Sequence, residues 1–438
     1  MTDQSCVSSE PGTWWLPGTS ERGEGELDFD PVDGARLTVR GLLPGMLPPA
    51  YSWPALVGEA HDGGLLTLLK PVGLGQTLSG GGAGTTAETR LHAHVLLRGI
   101  HVASDADFVF ARTLVRLRGL KELCFAPAIR DEQLVRFVAG DATAPRAQEV
   151  PLTGGRIVFS MTPDGDVEAL LDVHDPLPLE EFEEKWLIPL QGLVVLAGQD
   201  PTVVESLVAL DVGEGPVEVL MSIPGLTAEP RWDYERPLVP FSALGPFATD
   251  FISGWFDLCH QLGGAMLFFI GALSQRMFLE NRVLNDMSFA ESYHRTLHNE
   301  PPISDEEHDE YVKAMLERIG NAKHRDHYRV RLRYAASQSQ RQRLKWLIQR
   351  AGDTLPTLAA LKPGVANDLV DTRNAITHLD PTGPPGLTGT RFYRAIELLE
   401  VAIMANLLLD LGLPPEMTAV LFDVAYNGRT PFVPAPGE

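Results

Sequence analysis

The chain has only three cysteines in 438 residues, Cys6, Cys124 and Cys259, too few and too widely spaced for a disulfide framework or a zinc cluster. Long hydrophobic runs are also missing. The longest, Leu262 to Leu273, is too short to span a bilayer and reads as a buried helix. The opening Met1-Thr2-Asp3-Gln4 lacks the basic and apolar regions of a signal peptide, so a cytoplasmic protein without a membrane partner is expected. The glycine string Ser79-Gly80-Gly81-Gly82-Ala83-Gly84 lacks the Lys-Ser/Thr ending of a phosphate-binding loop and reads as a flexible connection. Basic charge is scarce overall. With 36 Lys and Arg against 58 Asp and Glu, the net charge of −22 would argue against a nucleic-acid partner if it were evenly spread.

It is not evenly spread. From Asp250 onward there are 19 Lys and Arg against 23 Asp and Glu, which leaves about −18 of the total on residues 1–249. Between Lys313 and Arg350 lie eleven basic residues, opposed only by Glu317 and Asp326. Such a patch can attract a phosphate backbone to an otherwise acidic protein. Arg325, Arg329, Arg331, Arg333, Arg341, Arg343 and Lys345 are the candidate RNA-binding residues. The alternative is a solvated helix face balanced by the acidic run Asp305-Glu306-Glu307-His308-Asp309-Glu310.

A hydrophobic content of 44% and a charged content of 21% fit an ordinary globular protein long enough for two or three domains. The pattern predicts a multi-domain α+β chain: a flexible N-terminus over 1–11, a β-rich domain over 12–245 and an all-α bundle over 246–438. In the first part, Gly, Pro and Asp punctuate short alternating runs such as Ala35–Val39 and Arg156–Ser160. His92 and His94 alternate on one such run with His101 nearby, either a metal site or a plain strand with polar residues facing outward. In the second part the period becomes helical, with helices expected over Pro246–Gln261, Gly264–Gln275 and Arg282–His298. A capping box at Ser304 and Glu307 should open a helix bearing Tyr311, Met315 and Ile319. Further helices are expected through Arg341–Trp346, over Val365–His378 and from Thr390.

The helix over Val365–His378 carries Arg373-Asn374-Ala375-Ile376-Thr377-His378. A fixed cation, an amide and an imidazole fall within about one and a half turns, with Asn374 and His378 an i,i+4 pair on one face. His moves protons near neutral pH, and Arg offers a planar fork of donors suited to phosphate oxygens. The bare spacing of Arg and His is weak, and Arg318 with His324 satisfies it too. What distinguishes Arg373 is the adjacent Asn, the helix end and the breaker run Pro381-Thr382-Gly383-Pro384-Pro385-Gly386. The plainer reading is a helix-end Arg with a His near the negative end of the dipole.

Three segments, far apart and in order, carry a family resemblance: Gly12-Thr13-Trp14-Trp15-Leu16-Pro17-Gly18 with Gly25-Glu26-Leu27, then Glu291-Ser292-Tyr293-His294-Arg295, then Arg373 to His378. The chain resembles the ApeA-like proteins of the HEPN superfamily, helical bundles whose signature is Arg, often followed by Asn, with His four to six residues beyond the Arg. The resemblance implies a metal-independent endoribonuclease without a cofactor. His378 would do acid/base work, Arg373 would bind phosphoryl oxygens, and Asn374 would orient His378 or the phosphate, with Glu291 and His294 in support. It also implies a homodimer with a composite site, an N-terminal domain that senses a phage-derived trigger, and host RNA such as tRNA as the target. Other classes remain open: a catalytically silent RNA- or nucleotide-binding HEPN module, a toxin held by a separate antitoxin, or a carbohydrate- or protein-binding N-terminal module. For Trp14 and Trp15, paired aromatics at a strand start more often anchor a core than bind a ligand.

Overall fold

The computed structural model describes residues 7–41, 52–79, 86–125, 147–199, 201–213, 215–222, 237–275, 277–300, 303–332, 337–359, 364–378 and 386–426. They form two compact units, Met1–Asp257 and Leu258–Glu438.

The first unit is built on one antiparallel sheet of fourteen strands among the described residues. β1 (Val7–Trp15), β2 (Gly23–Asp30), β3 (Gly34–Arg40), β4 (Ala55–Ala60) and β5 (Leu65–Leu69) come first. β6 (Val72–Ser79), β7 (Thr86–Ala93), β8 (Val95–Arg98) and β9 (Val109–Leu117) follow. β10 (Ala147–Leu152), β11 (Gly155–Met161), β12 (Val167–Pro178), β13 (Val204–Leu210) and β14 (Val217–Met221) complete it. The order across the sheet is β10-β11-β12-β9-β13-β14-β8-β5-β4-β1-β2-β3-β7-β6. β1 opens at Val7, so residues 7–11, expected as part of a flexible N-terminus, are strand. They are held by pairing: Glu10 and Pro11 lie opposite Leu27 and Glu26 of β2.

Alternation explains the strands. In β2, Leu27 and Phe29 are buried while Glu26 and Asp28 face outward. Trp14, Leu37, Leu56, Leu68, Leu91 and Leu96 join them in one core. Trp14 is 0% exposed and thus anchors that core. Its neighbour Trp15 carries the Arg22 guanidinium 4.0 Å above its ring. Opposite Trp14 in the β1–β4 register sits Gly58, where an added Cβ would lie 2.5 Å from the indole. Gly58→Ala is therefore expected to cost roughly 1–3 kcal/mol, the range for overpacking. A lower urea midpoint at unchanged slope would show it.

His92 and His94 face each other edge-on at 4.7 Å. Their ring nitrogens bond to the Asp33 carbonyl and the Ser222 hydroxyl, and His101 bonds to the Gly58 carbonyl. No metal-holding group of His, Cys, Asp or Glu occurs among the described residues.

The helices of this unit include α1 (Leu120–Phe125), α2 (Ile188–Gly198) and the start of α3 (Ala248–Leu262). α2 is apolar nearly all round and buries Leu190, Leu193, Val194, Val195 and Leu196. A helix of that kind shows no stripe, which is why the alternating reading of this region passes over it. The unit extends past the expected boundary at 245/246 because α3 begins in its core. Trp255 is 0% exposed and donates to the Pro189 carbonyl at 2.7 Å, and Phe256 packs on Trp186.

The second unit is helical: α4 (Gly264–Ser274), α5 (Leu279–Leu297), α6 (Asp305–Glu317), α7 (Ala322–Leu332), α8 (Gln340–Thr354), α9 (Val365–His378), α10 (Gly389–Asp410) and α11 (Pro415–Ala425). α10 is its central rod, with Leu399, Ala402, Ile403, Leu407 and Leu408 fully buried against α5, α8 and α11. α9 lies against α8 and α5. The capping box expected at α6 is present, Glu307 donating its amide to the Ser304 hydroxyl. The helix bears Tyr311 and Met315, both exposed, and ends at Glu317, so Ile319 lies beyond it. Among the described residues no single helix is long and apolar enough to cross a membrane.

Candidate active site on the motif helix

α9 turns Ala366, Leu369, Val370 and Thr372 inward, which leaves Arg373 and Asn374 half-buried and Thr377 and His378 exposed at the helix end. Arg373 Nη1 donates to Asn374 Oδ1 at 3.2 Å. The amide thus steadies the guanidinium, and among the described residues no hydrogen bond joins Asn374 to His378. Thr377 Oγ1 donates to the Arg373 carbonyl at 2.8 Å. Residues 379–385, which include most of the breaker run, lie outside the described residues. Beyond them the chain returns to α9: Leu387 donates its amide to Thr372 Oγ1 at 2.8 Å, and Gly386 passes so close that a Cβ there would lie 3.2 Å from Thr372 Cα.

The decoy has a different setting. Arg318 caps α6 and His324 lies in α7, so a helix break separates the pair.

α5 supplies Glu291 and His294. Glu291 accepts from Arg295 at 2.5 Å and from Gln340 at 3.3 Å. His294 is 0% exposed, edge-on to Trp346 at 4.9 Å, with neither ring nitrogen bonded among the described residues. Burial, reinforced by the nearby Arg343 and His298, lowers its pKa to about 4. The buried imidazole packs the bundle against Trp346.

A depressed histidine pKa binds fewer protons folded than unfolded, so stability falls as pH drops from about 6.5 through about 4. His294 should account for roughly 2–3 kcal/mol of acid destabilisation in that window. Urea titrations of wild type and His294→Phe at pH 7 and pH 4.5 check this: the two stabilities should lose different amounts, and equal losses would refute it.

The predicted RNA-binding residues do not act as one set. Arg325 spends its Nε and Nη2 on the Ile319 carbonyl at the end of α6, at 3.1 and 2.8 Å. Arg341 Nη2 meets Asp371 Oδ1 of α9 at 2.6 Å. Arg343 is 2% exposed and donates to the Gln338 carbonyl, so its place in a solvated patch is corrected: its i+1 and i+4 neighbours, Leu344 and Leu347, are core residues. Arg333 lies outside the described residues. Arg329, Arg331 and Lys345 are exposed, Arg329 pairing with Asp326 at 2.7 Å.

Sequence reading missed the polar knot that fastens this bundle. Asp410, at the end of α10, accepts from Tyr293 of α5, from His298 Nε2 at 2.7 Å and from Arg350 Nη2 of α8 at 2.6 Å. Arg350 also bonds to Asn406, which is itself 0% exposed. Partners more than fifty residues apart leave no local spacing to find. The same holds for the Arg282–Glu400 ion pair, beside which burial and the Glu400 charge push Asp286 well above the ordinary carboxylate range.

Comparison with known families places residues 284–417 in the Apea-like HEPN family and residues 9–136 in ApeA N-terminal domain 1. Arg373, Asn374, His378, Glu291 and His294 all fall within the first match. No curated protein and no solved structure matches the chain. The family supports a HEPN-type anti-phage effector with nuclease activity in general. The N-terminal and C-terminal matches, each on its own unit, together establish that the chain belongs to the ApeA-like HEPN proteins.

Proposed function

We propose that the protein is a metal-independent endoribonuclease that cuts RNA through the ribose 2′-hydroxyl. The observation carrying this reading is the end of α9, where Arg373, held by Asn374, and the exposed His378 lie on one helix. The 2′-oxygen forms a bond to the adjacent phosphorus as its proton passes to a base. The bond from phosphorus to the 5′-oxygen breaks, and that oxygen takes a proton from an acid. A 2′,3′-cyclic phosphate and a 5′-hydroxyl remain. His378 serves as the acid/base group, and Arg373 offers its fork of donors to the phosphoryl oxygens. One His cannot easily stand on both sides of the scissile bond, so two copies of α9 facing each other in a C2 dimer would complete the site. Cytoplasmic host RNA, tRNA among it, is the proposed target, and growth arrest on infection the proposed outcome.

Incubating the full-length protein with total RNA in EDTA tests the reading. Fragments with 5′-hydroxyl ends are expected, and single-stranded DNA of the same sequence should stay intact because it lacks the nucleophile. Intact RNA, or fragments with 5′-phosphates, would refute it. The exposed cations should supply affinity without chemistry: Arg331→Glu with Lys345→Glu is expected to weaken RNA binding and flatten its salt dependence. Binding curves at several salt concentrations check this, and an unchanged slope would assign both residues to a solvated face.

A further inference from the structure

The first turn of α8 touches the α5 motif at Glu291 and reaches α9 at Asp371, just ahead of its motif. Ser339 caps it, its hydroxyl accepting from Gln342 N at 3.3 Å while Gln342 Oε1 accepts from Ser339 N at 2.8 Å. From this pinned backbone Gln340 reaches Glu291 of α5, and Arg341 reaches Asp371 of α9 at 2.6 Å. Asp371 stands two residues before Arg373 and one turn before Asn374. Arg343, in the same turn, is sunk in the bundle and bonded to the Gln338 carbonyl.

We propose that Arg341 is a positioning residue: through Asp371 it sets the register of α9, and so the place of Arg373 and His378, against α8 and α5. A half-exposed ion pair of this kind adds little stability. Its contribution is geometric, because a catalytic group displaced by about 1 Å can lose roughly a hundredfold in rate. Pairing also removes Arg341 from the cations free to meet RNA: its charge is matched by a carboxylate at contact distance, and the pair together is neutral. The proposal rests on the nuclease reading for its kinetic consequence but not for its structural one.

The two roles of Arg341 make opposite statements about Asp371. Arg341→Ala, Asp371→Ala, the double variant and the exchange Arg341→Asp with Asp371→Arg are compared in the full-length protein. Steady-state cleavage gives kcat and KM, and amide hydrogen exchange reads residues 365–378. If Arg341 positions α9, each single variant lowers kcat by roughly 10- to 100-fold, with KM within about twofold. The double variant is then no worse than either single one, the exchange recovers part of the loss, and α9 amides exchange faster in both single variants. If Arg341 contacts RNA, Arg341→Ala raises KM with kcat intact and Asp371→Ala has no effect, and the proposal fails. Should the wild type cleave no RNA, the nuclease reading falls by itself. Hydrogen exchange still decides the clamp, because unchanged protection of α9 in both single variants would overturn it.

Discussion

His378→Ala is expected to slow RNA cleavage by roughly 10²–10⁴-fold, the loss typical of a removed acid/base group. The fold should be untouched, because His378 is an exposed residue at the last position of α9 and supports no core contact. Arg373→Lys is expected to damage activity as well. An ammonium cannot grip two phosphoryl oxygens with a planar fork, and it also alters the donor that Asn374 receives. His324→Ala provides the control, since its apparent motif partner Arg318 lies across a helix break. Cleavage time courses beside matched thermal melts check all three. Wild-type rates in His378→Ala would remove the chemistry from this helix and favour a module that only binds.

The second large effect is on stability. Asp410→Ala is expected to cost roughly 2–4 kcal/mol, between the cost of an orphaned hydrogen-bonding group and that of a broken buried ion pair. It would leave Arg350, Tyr293 and His298 without the acceptor that joins α5, α8 and α10. In a unit of this size that corresponds to a fall in Tm of roughly 5–15 °C. Burial pushes the Asp410 carboxyl up, but hydrogen bonds from His298, Arg350 and Tyr293 outweigh it and hold it below the ordinary value of 3.8. A depressed carboxylate contributes stability that is present above that value and is lost as pH falls through the folded one. Wild type and Asp410→Ala should therefore differ fully at pH 7 and converge in strong acid. A Tm within about 2 °C of wild type at pH 7 would show that the knot is not what fastens these helices.

How far the sequence reveals this molecule depends on the kind of interaction. α9 is legible to the residue because Ala366, Leu369 and Val370 set a helical period and the sequence places a proline-rich breaker run shortly after His378. The α6 cap is legible because Ser304 and Glu307 form a local pair. α7 escapes the pattern because it buries no residue among those described, and a helix with no apolar face has no period to read. The basic segment misleads for a related reason. Charge can be counted along the chain, but whether Arg341 meets RNA or Asp371 depends on a helix thirty residues away. Of the site itself, Arg373, Asn374 and His378 are visible as a motif, whereas the burial of His294 and the Asp410 knot exist only once the bundle is packed.

The most direct measurement of the central claim uses a short synthetic RNA containing one cleavage site mapped in total RNA, made with ribose throughout or with a single 2′-deoxy nucleotide on the 5′ side of the scissile phosphate. In EDTA, the all-ribose strand should yield a 2′,3′-cyclic phosphate and a 5′-hydroxyl, and the singly deoxy strand should bind equally well and remain uncut at that position. Cleavage of both strands at the same rate would contradict an attack by the 2′-oxygen, and with it the roles given to Arg373 and His378.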